Sequence, residues 1–337
     1  MRTPKGTLGY CMFLRLGSKV AHWCDNTKPW TDVYGVARSV LAISSILTLT
    51  TSSWYTLFRP RMDEVAYPMC HGAGEWGIFC IVSWSDLRIP MWLCVVALLV
   101  IGSGWRPRWT CVPHWWIAWS CFNNFSIQDG GESVAAVLTL LLIPIALTDP
   151  RKWCWERLST TPSRSRQLIA LTLMLMIRLQ VSVIYGHAAS SKLNVTEWAD
   201  GTALYYWLLT EPQFAPGGII HDALRVLLLS PVVAVVTWGA LLIEFVLMMG
   251  LFASTRVKRS LLVVGLLFHA GILFLMGIAS FATYMFAAVI LYLRPFDHEF
   301  GVRRVTSAAW SLLARATTAR RWSLRRAIAS THLGQRE

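Results

Sequence analysis

Charged residues are scarce in this chain, and acidic residues are scarcer than basic ones. Asp, Glu, Lys and Arg make up 15% of the 337 residues, whereas hydrophobic residues make up 55% and the mean hydropathy is +0.48. An ordinary soluble domain carries about 25% charged residues. The composition therefore excludes that class and predicts an integral membrane protein that crosses the bilayer several times.

The chain also lacks the residue spacings that two other classes of protein require. Its eight cysteines and eight histidines form no group with structural-zinc spacing, so the sequence predicts no metal site. The short apolar run 8–14 has no small-residue cleavage site after it. We therefore expect no removable signal peptide.

The net charge of +13 would suggest a nucleic-acid partner in a soluble chain. Here the basic residues lie instead in short loops beside apolar runs and in the C-terminal segment. That distribution is typical of membrane topology, in which lysines and arginines collect on the cytoplasmic side. We expect the lipid bilayer, and no nucleic acid, as a partner.

Long uncharged or weakly charged runs predict an all-α bundle of about eight transmembrane helices. A helix of 34 residues would be about 50 Å long, too long for a hydrocarbon core of about 30 Å, so the last run is interpreted as a hairpin of two spans. The runs are 34–58, 89–105, 109–128, 133–148, 167–191, 226–252 and 260–293.

The positions of lysine and arginine predict that both termini are cytoplasmic. With eight spans, 24 of the 31 basic residues fall in the cytoplasmic segments. We expect a cytoplasmic segment 1–32, a transmembrane domain 33–296 and a basic cytoplasmic tail 297–337. In the tail, apolar residues recur at helical spacing among arginines, which favours an amphipathic helix on the anionic inner leaflet.

This topology places Cys70 and Cys80 in an extracytoplasmic loop, on the oxidising side of the membrane. A disulfide between them is one expectation. Two unpaired thiols are the equal alternative, because spacing alone does not fix disulfide geometry.

Three ionisable residues, His187, Lys192 and Asp200, meet where the fifth apolar run ends. Lysines at span ends commonly extend to the interface as anchors, and that is one interpretation of Lys192. The other is a general base or ligand-holding amine that is oriented by His187 or Asp200, since desolvation favours the neutral amine.

Two further ionisable residues lie within predicted spans. Arg38 lies near the inner end of the first span, where its side chain can reach the headgroups or hold a ligand. Glu244 lies within the sixth span, and we expect it to be protonated or bonded to a partner such as Arg178, His269 or Arg38.

Several segments together resemble a known family. Tyr185-Gly-His-Ala-Ala-Ser-Ser-Lys-Leu and Trp198-Ala-Asp-Gly-Thr-Ala-Leu-Tyr-Tyr-Trp resemble the core of the HTTM domain, which is the membrane domain of vitamin K-dependent γ-carboxylases and their bacterial relatives. Three other segments resemble the branch of sporulation-delaying protein B: Pro29-Trp-Thr-Asp-Val-Tyr-Gly-Val-Ala-Arg-Ser, Ile127-Gln-Asp-Gly-Gly-Glu and Leu142-Ile-Pro-Ile-Ala-Leu-Thr-Asp-Pro-Arg-Lys-Trp.

The resemblance implies a multi-pass protein of the bacterial plasma membrane. It would act with a small SdpA-like partner in the maturation of a secreted antimicrobial peptide. In the carboxylase branch, the lysine that matches Lys192 deprotonates a vitamin K-type quinol, which would be the cofactor. The alternatives are a quinol-dependent, carboxylase-like enzyme and a non-catalytic peptide-binding scaffold or immunity protein. Candidate substrate- or cofactor-binding residues are Tyr185, Trp198, Tyr205, Tyr206, Arg38, Glu244 and His269.

Overall fold

The computed structural model describes residues 17–59, 68–126, 129–158, 162–211, 214–295 and 299–302. Its regular structure there is helical, and the β-type contact in these ranges is an isolated bridge between Trp105 and Trp153. The chain divides into a unit that ends at residue 298 and a second unit that begins at residue 299. The predicted tail helix lies outside the described residues.

Nine helices of eleven residues or more lie within the described ranges. They are α1 (Asp32–Thr51), α2 (Arg88–Gly102), α3 (Pro107–Asn124), α4 (Gly131–Thr148), α5 (Arg164–Leu193), α6 (Gly218–Leu228), α7 (Val232–Met249), α8 (Thr255–Met276) and α9 (Ala279–Leu293). Five of these are long and apolar enough to cross a membrane: α1, α4, α5, α8, and α7 with the turn that follows it. The predicted all-helical membrane protein is confirmed at this level, whereas eight spans remain a prediction.

The predicted sixth span, 226–252, is wrong as a single helix. Residues up to Leu228 belong to α6, and α7 begins only after Pro231. Proline has no backbone N–H and its ring clashes with the preceding turn, so it starts a helix more readily than it continues one. The first span is also shorter than predicted, because α1 ends at Thr51 and a separate turn, Trp54–Leu57, follows.

The charge-free run 260–293 is divided between α8 and α9. Gly277 follows α8 in the left-handed region, with φ of 70°, and its N–H bonds to Leu273 O. Glycine takes this conformation without a Cβ clash, which makes it a common helix terminator. The chain then reverses, and α9 packs against α8.

Helix α9 lies at the centre of the bundle. It packs against α1, α4, α5 and α8, and nearly all of its residues from Ala282 to Leu293 are buried. A helix that is apolar on every side is expected to be enclosed by other helices. At its start, Asp129 accepts hydrogen bonds from the Ser280 hydroxyl and from Phe281 N.

At the end of the bundle where α1 and α3 begin, the loop after α4 contains a buried ion pair. Asp149 Oδ2 lies 2.8 Å from Arg151 Nη2, and Asp149 Oδ1 accepts from Arg151 Nε at 2.9 Å. The same arginine donates to Cys154 O at 2.6 Å. The pair holds the loop together, and Arg108 at the start of α3 donates to Asp149 O at 2.6 Å, which fixes the loop against that helix.

At the opposite end, Cys70 and Cys80 form a disulfide. Asn124, in the last turn of α3, donates its amide to Met69 O at 2.9 Å and to Gly74 O at 3.0 Å. The disulfide-linked loop is therefore anchored to the bundle by a buried side chain.

Candidate functional site

Lys192 and Glu244 form an ion pair between α5 and α7. Lys192 lies in the last turn of α5, and its side chain is 28% exposed, whereas the side chain of Glu244 is 7% exposed. Helical side chains lean toward the N-terminus of their helix, so Lys192 extends back into the bundle rather than outward to the interface. The ion pair satisfies a carboxylate that would otherwise be costly inside a membrane.

Close packing of α5 against α7 makes this pair possible. Ser182 donates its hydroxyl to Met248 O at 2.9 Å. A Cβ on Gly186 would come within 2.8 Å of Met248 Sδ. A glycine and a serine on α5 thus allow α7 to approach closely, as small residues do between membrane helices.

A second hydrogen bond lies beside the ion pair. The Tyr185 hydroxyl is 2.8 Å from His269 Nε2, which joins α5 to α8. Tyr185 precedes Lys192 by seven residues, almost two full turns, so both residues lie on one face of α5. Both Tyr185 and His269 are buried.

We call Tyr185, Lys192, Glu244 and His269 the central cluster. Two of its atoms, Glu244 Oε2 and His269 Nδ1, are buried without a hydrogen-bond partner. Orphan polar atoms are rare in protein interiors, so each one calls for an explanation. The cluster thus combines an acid, an amine, a phenol and an imidazole, two of which have a buried atom without a protein partner.

The segment after α5 holds Trp198 over the lysine. Lys192 Nζ is 5.2 Å from the centre of a Trp198 ring, within the range of a cation–π interaction. Gly201 carries the chain back with φ of 85°, and a Cβ there would lie 2.9 Å from Ala234 Cβ on α7. Leu204 N also bonds to Thr237 Oγ1 at 3.4 Å.

Two cavities are lined by residues of the segments that carry the central cluster or follow it. The aromatic cavity, of about 440 Å³, is lined by residues that include Trp198, Tyr206, Trp207, Phe214, Glu197 and Glu211. The apolar cavity, of about 420 Å³, lies between α6, α7 and α8 and is lined by residues that include Leu224, Leu228, Val236, Ile243, Phe268 and Leu275. Trp198 links the first cavity to Lys192, and Ile243 and Phe268 are chain neighbours of Glu244 and His269.

The structure does not bring every predicted site residue to the cluster. His187 is exposed, because α5 continues unbroken and places it about 140° around the helix from Lys192. Asp200 instead accepts hydrogen bonds from Thr202 N and Oγ1. Tyr205 packs edge-on against Tyr206, and Arg38 bonds to Thr110 in another part of the bundle.

The partners suggested for Glu244 are also different from those expected. Arg38 bonds to Thr110, His269 bonds to Tyr185, and Arg178 donates to Arg294 O at 3.0 Å. The partner is Lys192, which is 52 residues away in sequence. The seven-residue spacing of Tyr185 and Lys192 is the sequence signal that could have placed the tyrosine in the cluster.

Within the described ranges, no three His, Cys, Asp or Glu side chains are grouped to hold a metal ion.

Two curated proteins of Bacillus subtilis (strain 168) are similar to this chain. The uncharacterized protein YitO is 35% identical over 306 residues, which cover 89% of this chain and 97% of YitO. The sporulation-delaying protein SdpB is 32% identical over 285 residues, which cover 84% of this chain and 87% of SdpB. No family model and no solved structure matches the chain.

Proposed function

The chain belongs to the family of the sporulation-delaying protein SdpB, and from this premise we propose that it helps to mature a secreted antimicrobial peptide. It would act in the bacterial plasma membrane, as a multi-pass protein of eight spans, together with a small SdpA-like partner. The Lys192–Glu244 pair beside the aromatic cavity is the observation that carries the proposal. It supplies an acid–base group next to a space large enough for peptide side chains.

The proposed chemistry starts with a proton transfer within the pair. When Lys192 Nζ gives one proton to Glu244, both groups become neutral, and the amine gains a lone pair that can accept a proton from a substrate. Proton transfer within an ion pair costs less in a buried site than in water, because desolvation penalises charged groups. The hydrogen bond between the Tyr185 hydroxyl and His269 Nε2 fixes the imidazole at the edge of the cluster.

The aromatic cavity is the proposed entrance for the peptide. Its aromatic rings offer broad apolar faces, and Glu197 and Glu211 add two carboxylates. Such a surface favours apolar side chains and cationic groups, through ring packing and cation–π contact. A peptide bound there would approach Lys192 across Trp198.

The apolar cavity supports a second candidate, a quinol-dependent enzyme of the HTTM type. Its lining fits a lipophilic ring or chain, and one lining residue, Ile243, directly precedes Glu244 on α7. The residues that would hold a quinol are those of the apolar cavity, with Lys192 accepting the hydroxyl proton. A bound quinol would supply reducing chemistry to the modification of the peptide.

Reconstitution of the full-length protein tests these candidates. The protein, its genetically adjacent partner and the candidate precursor peptide are combined in lipid vesicles, with and without added quinol, and the peptide is analysed by mass spectrometry. We expect a mass change or cleavage that requires the protein and is lost in Lys192→Ala. A product that requires quinol identifies the second candidate. Binding of the peptide without any covalent change supports the scaffold or immunity alternative.

A further inference from the structure

The wall of the aromatic cavity contains acidic residues and no basic ones. Every residue that lines the cavity comes from the segment 193–217, which has no lysine, arginine or histidine in its sequence. Two of the lining residues are Glu197 and Glu211. Within the described ranges neither of their side chains forms an ion pair, and Lys192, which precedes the segment, is paired with Glu244. The wall therefore has an excess of negative charge.

A π-type turn, Tyr206–Thr210, sets one of these acids beside aromatic rings. Glu211 N bonds to Tyr206 O at 3.0 Å, five residues back, where an α-helix would bond four residues back. Trp207 packs against Phe214, with ring centres 4.9 Å apart and ring planes tilted by 38°. Tyr206, Trp207, Phe214 and Glu211 all line the cavity. Turns of this type are frequent at functional sites.

Aromatic faces and carboxylates together favour one class of ligand, a cation on an apolar stem. The face of an aromatic ring attracts a cation, and the apolar stem of a lysine or arginine side chain packs on such rings. The cavity of about 440 Å³ is within the usual size of ligand pockets, about 300–1,000 Å³. An acidic side chain would meet two carboxylates there and no basic partner.

A lipid headgroup is the other source of a cation at a membrane surface. Its ammonium group is linked to a phosphate, which binds best to arginine or lysine. The cavity has neither in its lining, and the phosphate would lie near the two glutamates. Charge complementarity therefore favours a peptide side chain over a lipid headgroup.

We propose that the aromatic cavity binds a lysine or arginine side chain of the peptide and rejects acidic side chains, an inference that rests on the proposed function. Trp198 lines the cavity, and its ring centre is 5.2 Å from Lys192 Nζ. The Lys192–Glu244 pair is neutral as a whole, so it repels a bound cation only weakly. A basic residue held in the cavity then determines which neighbouring residue of the peptide reaches the pair.

Ligand-observed NMR of the purified full-length protein in a deuterated nonionic detergent tests this inference. The probes are the peptide acetyl-Gly-Gly-Lys-Gly-Gly-amide and its norleucine and glutamate analogues. Norleucine keeps the apolar stem of lysine and lacks its charge. We expect saturation transfer from the protein to the lysine peptide, about tenfold weaker binding of the norleucine peptide, and no binding of the glutamate peptide.

Variants of the cavity wall separate the charge from the rings. The double variant that carries Glu197→Gln and Glu211→Gln should bind the lysine peptide about fivefold more weakly and the norleucine peptide as wild type does. Both glutamates are exposed, so this variant should unfold at the wild-type temperature. Trp207→Leu, which removes a ring and no charge, should weaken both peptides. Glu75→Gln, at an exposed glutamate of the disulfide-linked loop, is the control and should bind all probes as wild type does.

Equal affinities for the lysine and norleucine peptides overturn the proposal, as does wild-type affinity of the double glutamine variant for the lysine peptide. Tighter binding of glycerophosphocholine than of the lysine peptide would assign the cavity to a lipid headgroup and also overturn it. Maturation is a separate measurement. Lysine selectivity without any maturation of the precursor contradicts the proposed function alone, whereas maturation without lysine selectivity contradicts this inference alone.

Discussion

At the scale of single residues, the two roles considered for Lys192, membrane anchor and general base, require different chemistry of the side chain. An anchor needs only a long stem and a charged head, which arginine also has. A base must release its proton near neutral pH, which a desolvated lysine does and arginine does not. The two roles therefore predict opposite outcomes for one substitution.

We expect Lys192→Arg to reach the membrane normally and to lose peptide maturation by about 10²- to 10⁴-fold, the range for loss of a general base. Lys192→Ala should lose no more peptide maturation than Lys192→Arg does. Maturation is measured by mass spectrometry of the secreted peptide. Lys152→Arg, a lysine substitution in the loop after α4, is the matched control and should mature peptide as wild type does. Near-normal maturation by Lys192→Arg would show that Lys192 acts only as an anchor at the membrane interface.

The ion pair makes a separate prediction about stability. The single variants Lys192→Met and Glu244→Gln should each lower the free energy of unfolding. The double variant, which carries both substitutions, should lower it by less than the sum of the two single effects. We expect a coupling energy of about 1–3 kcal/mol, reduced from that of a fully buried pair by the exposure of Lys192. Unfolding of the four proteins in mixed micelles measures the cycle. Strictly additive effects would mean that the two charges do not stabilise each other.

The site was only partly predictable from the sequence. Lys192 and Glu244 stood out singly, because a charge within or beside an apolar run is conspicuous. Their pairing depends on how α5 and α7 pack, which no local pattern reports. His187 lies away from the cluster for a simpler reason, since a continuous helix puts residues five apart on different faces.

At the scale of elements, the segment between α5 and α7 sets the position of Trp198. Its turn depends on Gly201, which combines positive φ with close approach to Ala234. We expect Gly201→Ala to cost about 1–3 kcal/mol and to lower the melting temperature, because an alanine is strained in both respects.

Gly217→Ala is the control for that substitution. Gly217 has φ of −89° and open space around it, so the change should stay within about 0.5 kcal/mol. Equal melting temperatures for the two variants would show that the turn at Gly201 does not constrain the fold.

Helix boundaries show what hydropathy does and does not define. The run 260–293 was correctly divided, because its length exceeded the bilayer and Gly277 provided the break. The run 226–252 was wrongly predicted as one helix, although Pro231 lies within it, because the hydropathy stays high across the break between α6 and α7. Burial of Asp149 and Arg151 in a polar loop had no local signal, since it depends on contacts with distant helix ends.

At the scale of the whole molecule, two observations predict the orientation of the protein in the bilayer. The disulfide between Cys70 and Cys80 and the concentration of basic residues in the other loops both favour cytoplasmic termini. We expect a phosphatase or fluorescent reporter fused after Arg166 to behave as cytoplasmic, and one fused after Pro216 as extracytoplasmic. Reversal of either result would contradict the eight-span arrangement.

The Lys192–Glu244 pair also determines how the protein responds to the electric field across the bilayer. One elementary charge that crosses 100 mV exchanges about 2.3 kcal/mol with the field. A proton that passes from the amine to the carboxylate moves by the length of one hydrogen bond, about a tenth of a hydrocarbon core of about 30 Å. The field therefore changes the energy of this step by only about 0.2 kcal/mol, and the pair should keep nearly the same protonation balance in an energised cell and in a depolarised one.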